Sequence, residues 1–140
     1  MAQVPALQEF EGKWRLSRAI KDHRGNADGG LSGEAVFSPR GAGGFDYVET
    51  GSLVYAGQAP LEASRRFIWE EAAGGIAVRF EDGAPFHVID QSRSMPDANH
   101  HCDPDMYHVS YDFSRWPDWR AVWRVVGPKK DYRMSSEYRR

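Results

Sequence analysis

"DWRAVWRVVGPKKDYRMSSEYRR", residues 118–140, decides the fold. Trp119, Ala121, Trp123 and Val125 fall on one side of an extended chain, and Arg120, Val122, Arg124 and Val126 on the other. After Gly127-Pro128, the residues Tyr132, Met134, Ser136 and Tyr138 repeat the two-residue period. Successive side chains alternate between two faces only in a strand, so this stretch predicts two strands joined at the Gly-Pro break.

The same period recurs toward the N-terminus. "WRLSRAI" puts Trp14, Leu16, Arg18 and Ile20 on one face, and "FDYVETGSLVY" does so for Tyr47, Glu49, Gly51, Leu53 and Tyr55. "GGIAVRFEDGAPFHVID" divides into two strands around Asp82-Gly83, a pair that marks a tight hairpin. "DMYHVSYDF" alternates Tyr107, Val109, Tyr111 and Phe113. No window sustains a helical period, and the one helical turn expected lies between Pro5 and Phe10. A meander of short strands removes its edges by closing on itself. The expectation is an all-β chain: a single antiparallel up-and-down β-barrel domain spanning residues 1–140.

Bulk properties narrow the function. The 140 residues suffice for one cored domain. A formal charge of −2 gives no basic field for nucleic acid. With Cys102 as the lone cysteine, no internal disulfide forms. "MAQVPALQEFEGKW" lacks the basic segment and apolar run of a signal peptide, and no apolar stretch reaches bilayer length. A cytoplasmic protein without nucleic-acid or membrane partners is expected, and a homodimer is compatible with the sequence.

"EGKW", residues 11–14, resembles the opening of lipocalins and other calycin barrels. The segments "WRLSRAI", "YVETGSL", "RFIWEE", "FEDGAPFHVID", "HHCDPDMYHVSYDF" and "WRVVGPKKDYRMSSEYRR" together resemble a bacterial and fungal family of lipocalin-like domains without assigned function. The resemblance implies a calycin-like barrel with Trp14 plugging its closed end and Arg139 or Arg140 packed over that ring. It implies no activity and no cofactor. Related barrels include isomerases and cyclases, and some hold haem through one histidine.

Which polar groups face inward follows from parity. Arg18 shares a face with Trp14 and Leu16, and Glu49 with Tyr47 and Leu53. Buried charges require partners, so the pair is either a structural salt bridge or an anchor in which Arg18 forks onto a ligand carboxylate or carbonyl. His87, with Phe86 and Val88 on the opposite face, joins His101, Tyr107, Trp123 and Tyr132 as the remaining ligand-binding candidates. In "NHHCDPD", residues 99–105, the spacing suits a turn capped by Asn99, Asp103 and Asp105 better than four convergent zinc ligands, so no metal site is assigned. The preferred expectation is a binding barrel for a small, partly apolar molecule with an acidic or carbonyl end. The alternative is an isomerase, cyclase or hydrolase using a His or Glu acid–base group with Arg18 in the same cavity. Haem or metal binding ranks below both.

Overall fold

The computed structural model describes residues 4–41 and 43–140. A 3-10 turn, Leu7–Phe10, precedes β1 (Gly12–Asp22), β2 (Ala27–Arg40), β3 (Gly44–Tyr55), β4 (Leu61–Ala72) and β5 (Gly75–Phe80). Then follow β6 (Pro85–Asp90), β7 (Asp97–Cys102), β8 (Asp105–Asp112), β9 (Trp119–Val126) and β10 (Asp131–Arg139). All of these strands pair antiparallel, in the order β6-β5-β4-β3-β2-β1-β10-β9-β8-β7. Pairing of β1 with β10 turns the meander into a ring, with Leu16 opposite Tyr138 and Arg18 opposite Ser136. The all-β class, the up-and-down barrel and the short N-terminal turn are as expected, and the form is consistent with a lipocalin-like barrel.

The ring is nearly closed. β6 and β7 lie side by side, yet no ladder joins them. Side chains close this seam instead. Phe86 of β6 meets the His100 ring edge-on at 5.3 Å, and His87 reaches Tyr111 of β8. The β6–β7 connection adds backbone bonds to β8 and the residue after it, from Tyr111 N to Pro96 O and from Phe113 N to Ser94 O.

One end is sealed by rings. Phe10, fully buried, is ringed by Phe37, Trp69, Phe113, Trp116 and Trp119 with centroids 4.9–5.7 Å away. Trp14 donates its indole N–H to the Phe10 carbonyl at 2.8 Å. Arg140 lies over the Trp14 ring at 4.0 Å and donates to the Glu9 and Glu11 carbonyls. Of the two candidates it is therefore Arg140 that caps the plug; Arg139 is exposed beside Glu137. Burial of so many rings makes this end the hydrophobic anchor of the fold.

Two departures from strict alternation matter. Between Val78 and Arg79 the β5–β6 register shifts: Val78 pairs with His87, but Arg79 pairs with Pro85. Phe86 is the extra residue of this bulge. It is consequently buried beside His87 rather than on the opposite face. The second departure concerns "NHHCDPD", expected as a turn. It is mostly strand β7, and the turn is confined to the hairpin between Cys102 and Asp105.

Backbones approach closely at one point of the β2–β3 pair. Gly33 pairs with Gly51, and a Cβ on Gly33 would sit 2.0 Å from the Thr50 carbonyl oxygen. On Gly30, in the same strand, it would meet nothing nearer than the Arg18 carbonyl at 3.5 Å. Gly33→Ala is accordingly expected to cost about 2 kcal/mol more than Gly30→Ala. Urea unfolding midpoints of the two variants check the difference; equal midpoints would contradict the close approach.

Candidate functional site

Strand parity sends Arg18, Glu49 and Ser136 inward above the aromatic plug, and a polar layer results. Arg18 Nη1 and Nη2 donate to the two Glu49 oxygens at 3.0 and 2.8 Å, and Nε donates to Ser136 Oγ at 2.7 Å. Glu49 also accepts from the Tyr47 hydroxyl at 2.8 Å and from Arg65 Nε at 2.5 Å. Tyr47 has one proton and gives it to Glu49, so the Tyr138 hydroxyl, 2.8 Å away, must donate to Tyr47. Arg18 is 6% and Glu49 2% exposed.

Electrostatics keep this layer ionised. Burial alone would push the Glu49 carboxyl up, but hydrogen bonds and charge from Arg18 and Arg65 prevail and hold it at about 2. Burial also works against the charge on Arg18, yet Glu49 raises the guanidinium above its ordinary value. The Tyr47 and Tyr138 hydroxyls are pushed up, foremost by burial, and remain neutral.

Toward the open end the walls become aliphatic. Ile20, Leu31, Leu53, Ala63 and Met134 line a half-open chamber of about 150 Å³, with Arg18, Glu49 and Arg65 on its polar side. Beside it a wider hollow of about 660 Å³ opens to solvent, lined by Phe67, Phe80, Tyr107, Trp123 and Tyr132. Arg65 borders both spaces. Below the polar layer, the gap among Tyr47, His87, Tyr111 and Tyr138 is only about 20 Å³, room for a water-sized molecule and no more. A third hollow, about 180 Å³, lies at the closed end between Asp112, Arg115, Asp118, Arg120, Glu137 and Arg139, where acidic and basic groups balance.

The sequence candidates separate accordingly. Arg18 and Glu49 meet directly, and Tyr107, Trp123 and Tyr132 stand together around the wider mouth. His87 is buried, its Nε2 2.8 Å from the Tyr111 hydroxyl, while its Nδ1 has no partner among the described residues. Foremost burial, then the charge of His100, lower its pKa to about 3. It lies below the polar layer, away from the chamber. His101 is a correction. In the β7–β8 register Tyr107 faces His100 and Met106 faces His101, so His100 takes the inner side and His101 points to solvent near Asp103.

Two residues escaped the sequence reading. Arg65 lies two and four positions before the inward Phe67 and Trp69, so parity alone could have placed it. Its guanidinium stacks 4.5 Å from the Trp123 centroid. His100, against Phe80, Phe86 and Tyr107, depends on the hairpin register, which spacing did not fix.

Residues 10–140 match the family model described as a family of unknown function (DUF6314), and the chain belongs to that family. No curated protein matches it in sequence.

Both His87 and Glu49 have lowered pKa values, so in each case the unfolded chain binds the proton first and acid favours unfolding. For His87 the window runs from 6.5 down to about 3, and for Glu49 from 4.5 down to about 2. Of the two, His87 alone acts above 4.5, weakening the fold by about 2 kcal/mol at about pH 5. His87→Gln is expected to flatten the fall in stability between about pH 7 and pH 5, followed by urea unfolding. An unchanged slope would show that His87 titrates normally in the folded protein.

Proposed function

We propose that the protein is a lipocalin-like binding module whose open half holds a small, partly apolar molecule with an acidic or carbonyl end. The observation that carries this is the chamber of about 150 Å³, aliphatic on its walls and polar at one side, set beside an aromatic mouth. Such a combination of apolar lining with a few fixed polar groups suits small-molecule sites. A ten-stranded ring is also wider than an eight-stranded one, whose interior side chains nearly fill.

Binding is favoured over proton-transfer chemistry by the state of the ionisable groups. Glu49 already accepts four hydrogen bonds, from Arg18, Tyr47 and Arg65, and is a weak base. His87 faces space too small for a substrate. Arg18 has its fork engaged by Glu49 and its Nε by Ser136, so it orders the site and does not grip the ligand.

Ala63→Phe tests the reading by filling the chamber from a half-buried wall position. Native mass spectra and calorimetric titrations with acetophenone and benzoate are expected to show at least one complex with the wild type. The variant should bind about tenfold more weakly, with its melting temperature little changed. Equal affinity in both proteins, or no complex with either compound, would overturn the assignment.

A further inference from the structure

Arg65 differs from Arg18 in what its donors do. Its Nε is fixed on Glu49 Oε1 at 2.5 Å and its Cζ lies over the Trp123 ring, but neither Nη has an acceptor among the described residues. The side chain is 33% exposed, against 4% for Arg18. Stacking occupies the face of a guanidinium and leaves its in-plane N–H edge available, the edge that pairs with a carboxylate. Glu49 and Trp123 thus hold the fork in place before any ligand arrives, which lowers the ordering cost of binding.

Charge points the same way. Around the chamber stand two guanidinium groups, Arg18 and Arg65, and one carboxylate, Glu49. Within the chamber the excess is a single positive charge, which a monoanion would neutralise, while Arg66, Glu81 and Asp82 stand farther out around the mouth. Size supplies the second constraint. A space of about 150 Å³ takes a benzene-sized body, and here it is half open, with walls of Ile20, Leu31, Leu53, Ala63 and Met134.

Resting on the binding reading above, we propose that Arg65 is the anion clamp of this site and that its ligand class is the compact monocarboxylic acid. The carboxylate pairs with the Nη edge of Arg65, and a ring or branched chain of about six carbons occupies the chamber. Carbonyl compounds of the same size bind more weakly because they bring no charge. Long-chain acids are excluded from the chamber by length.

Calorimetric titration of the full-length protein with benzoate, benzamide and dodecanoate tests this. Benzoate is expected to bind the wild type at least about tenfold tighter than benzamide, and tighter than dodecanoate. Arg65→Met should lower benzoate affinity at least about tenfold and benzamide affinity by much less. Arg65→Lys, which keeps the charge without the fork, should fall between. A purely structural role for Arg65 would weaken both compounds alike. Benzamide matching benzoate in the wild type, or dodecanoate binding most tightly, overturns the proposal and leaves the binding reading intact. If none of the three binds, the clamp proposal falls, and the binding reading falls with it when acetophenone also forms no complex.

Discussion

A carboxylate enclosed among aromatic rings persists only while its lone pairs have donors, and Glu49 meets that constraint from three strands. Arg18 comes from β1, Tyr47 from β3 and Arg65 from β4, and the network continues to Ser136 and Tyr138 of β10. Removing Arg18 or Glu49 alone would strand the other's buried charge, whereas exchanging the whole group for packed apolar residues could leave stability little altered. What the network fixes is therefore geometry. It pins opposite walls of the ring to one carboxylate and sets the level at which packed interior gives way to open chamber.

That level is visible strand by strand. From the sealed end upward, β3 offers Phe45, Tyr47, Glu49, Gly51 and Leu53, and β4 offers Trp69, Phe67, Arg65, Ala63 and Leu61. β1 follows with Trp14, Leu16, Arg18 and Ile20, and β10 with Tyr138, Ser136, Met134 and Tyr132. Large rings fill the bottom, hydrogen-bonding groups occupy the middle, and Ile20, Leu53, Ala63 and Met134 border the chamber, with Leu61 exposed beyond it and Tyr132 at the mouth. The grading of side-chain size along the strands produces the hollow; no loop is needed to shape it.

Much of this was legible in the sequence because the period-two rule acts locally. Alternation around Trp14 and Tyr47 was enough to turn Arg18 and Glu49 inward, and Asp82-Gly83 announced its hairpin, where Gly83 adopts a φ of 90°. Three features needed long-range information. The bulge at Phe86 adds one residue to a strand and reverses parity beyond it, which no window of β6 reveals. The inward choice of His100 over His101 follows from pairing with β8. The division of labour between Arg18 and Arg65 depends on which guanidinium lies nearer Ser136, a contact between residues 118 positions apart.

The unladdered boundary between β6 and β7 has a mechanical consequence. Everywhere else around the circumference, widening the ring would break backbone hydrogen bonds; here it would separate only side chains such as Phe86 from His100 and His87 from Tyr111. Strain applied to the wall therefore collects along this line, as it does at the slit of a split collar. The two bare borders shield one another at close quarters, and Pro85 on β6 brings no N–H to a foreign strand. The cylinder can flex along its length without offering its neighbours in solution an open template for aggregation.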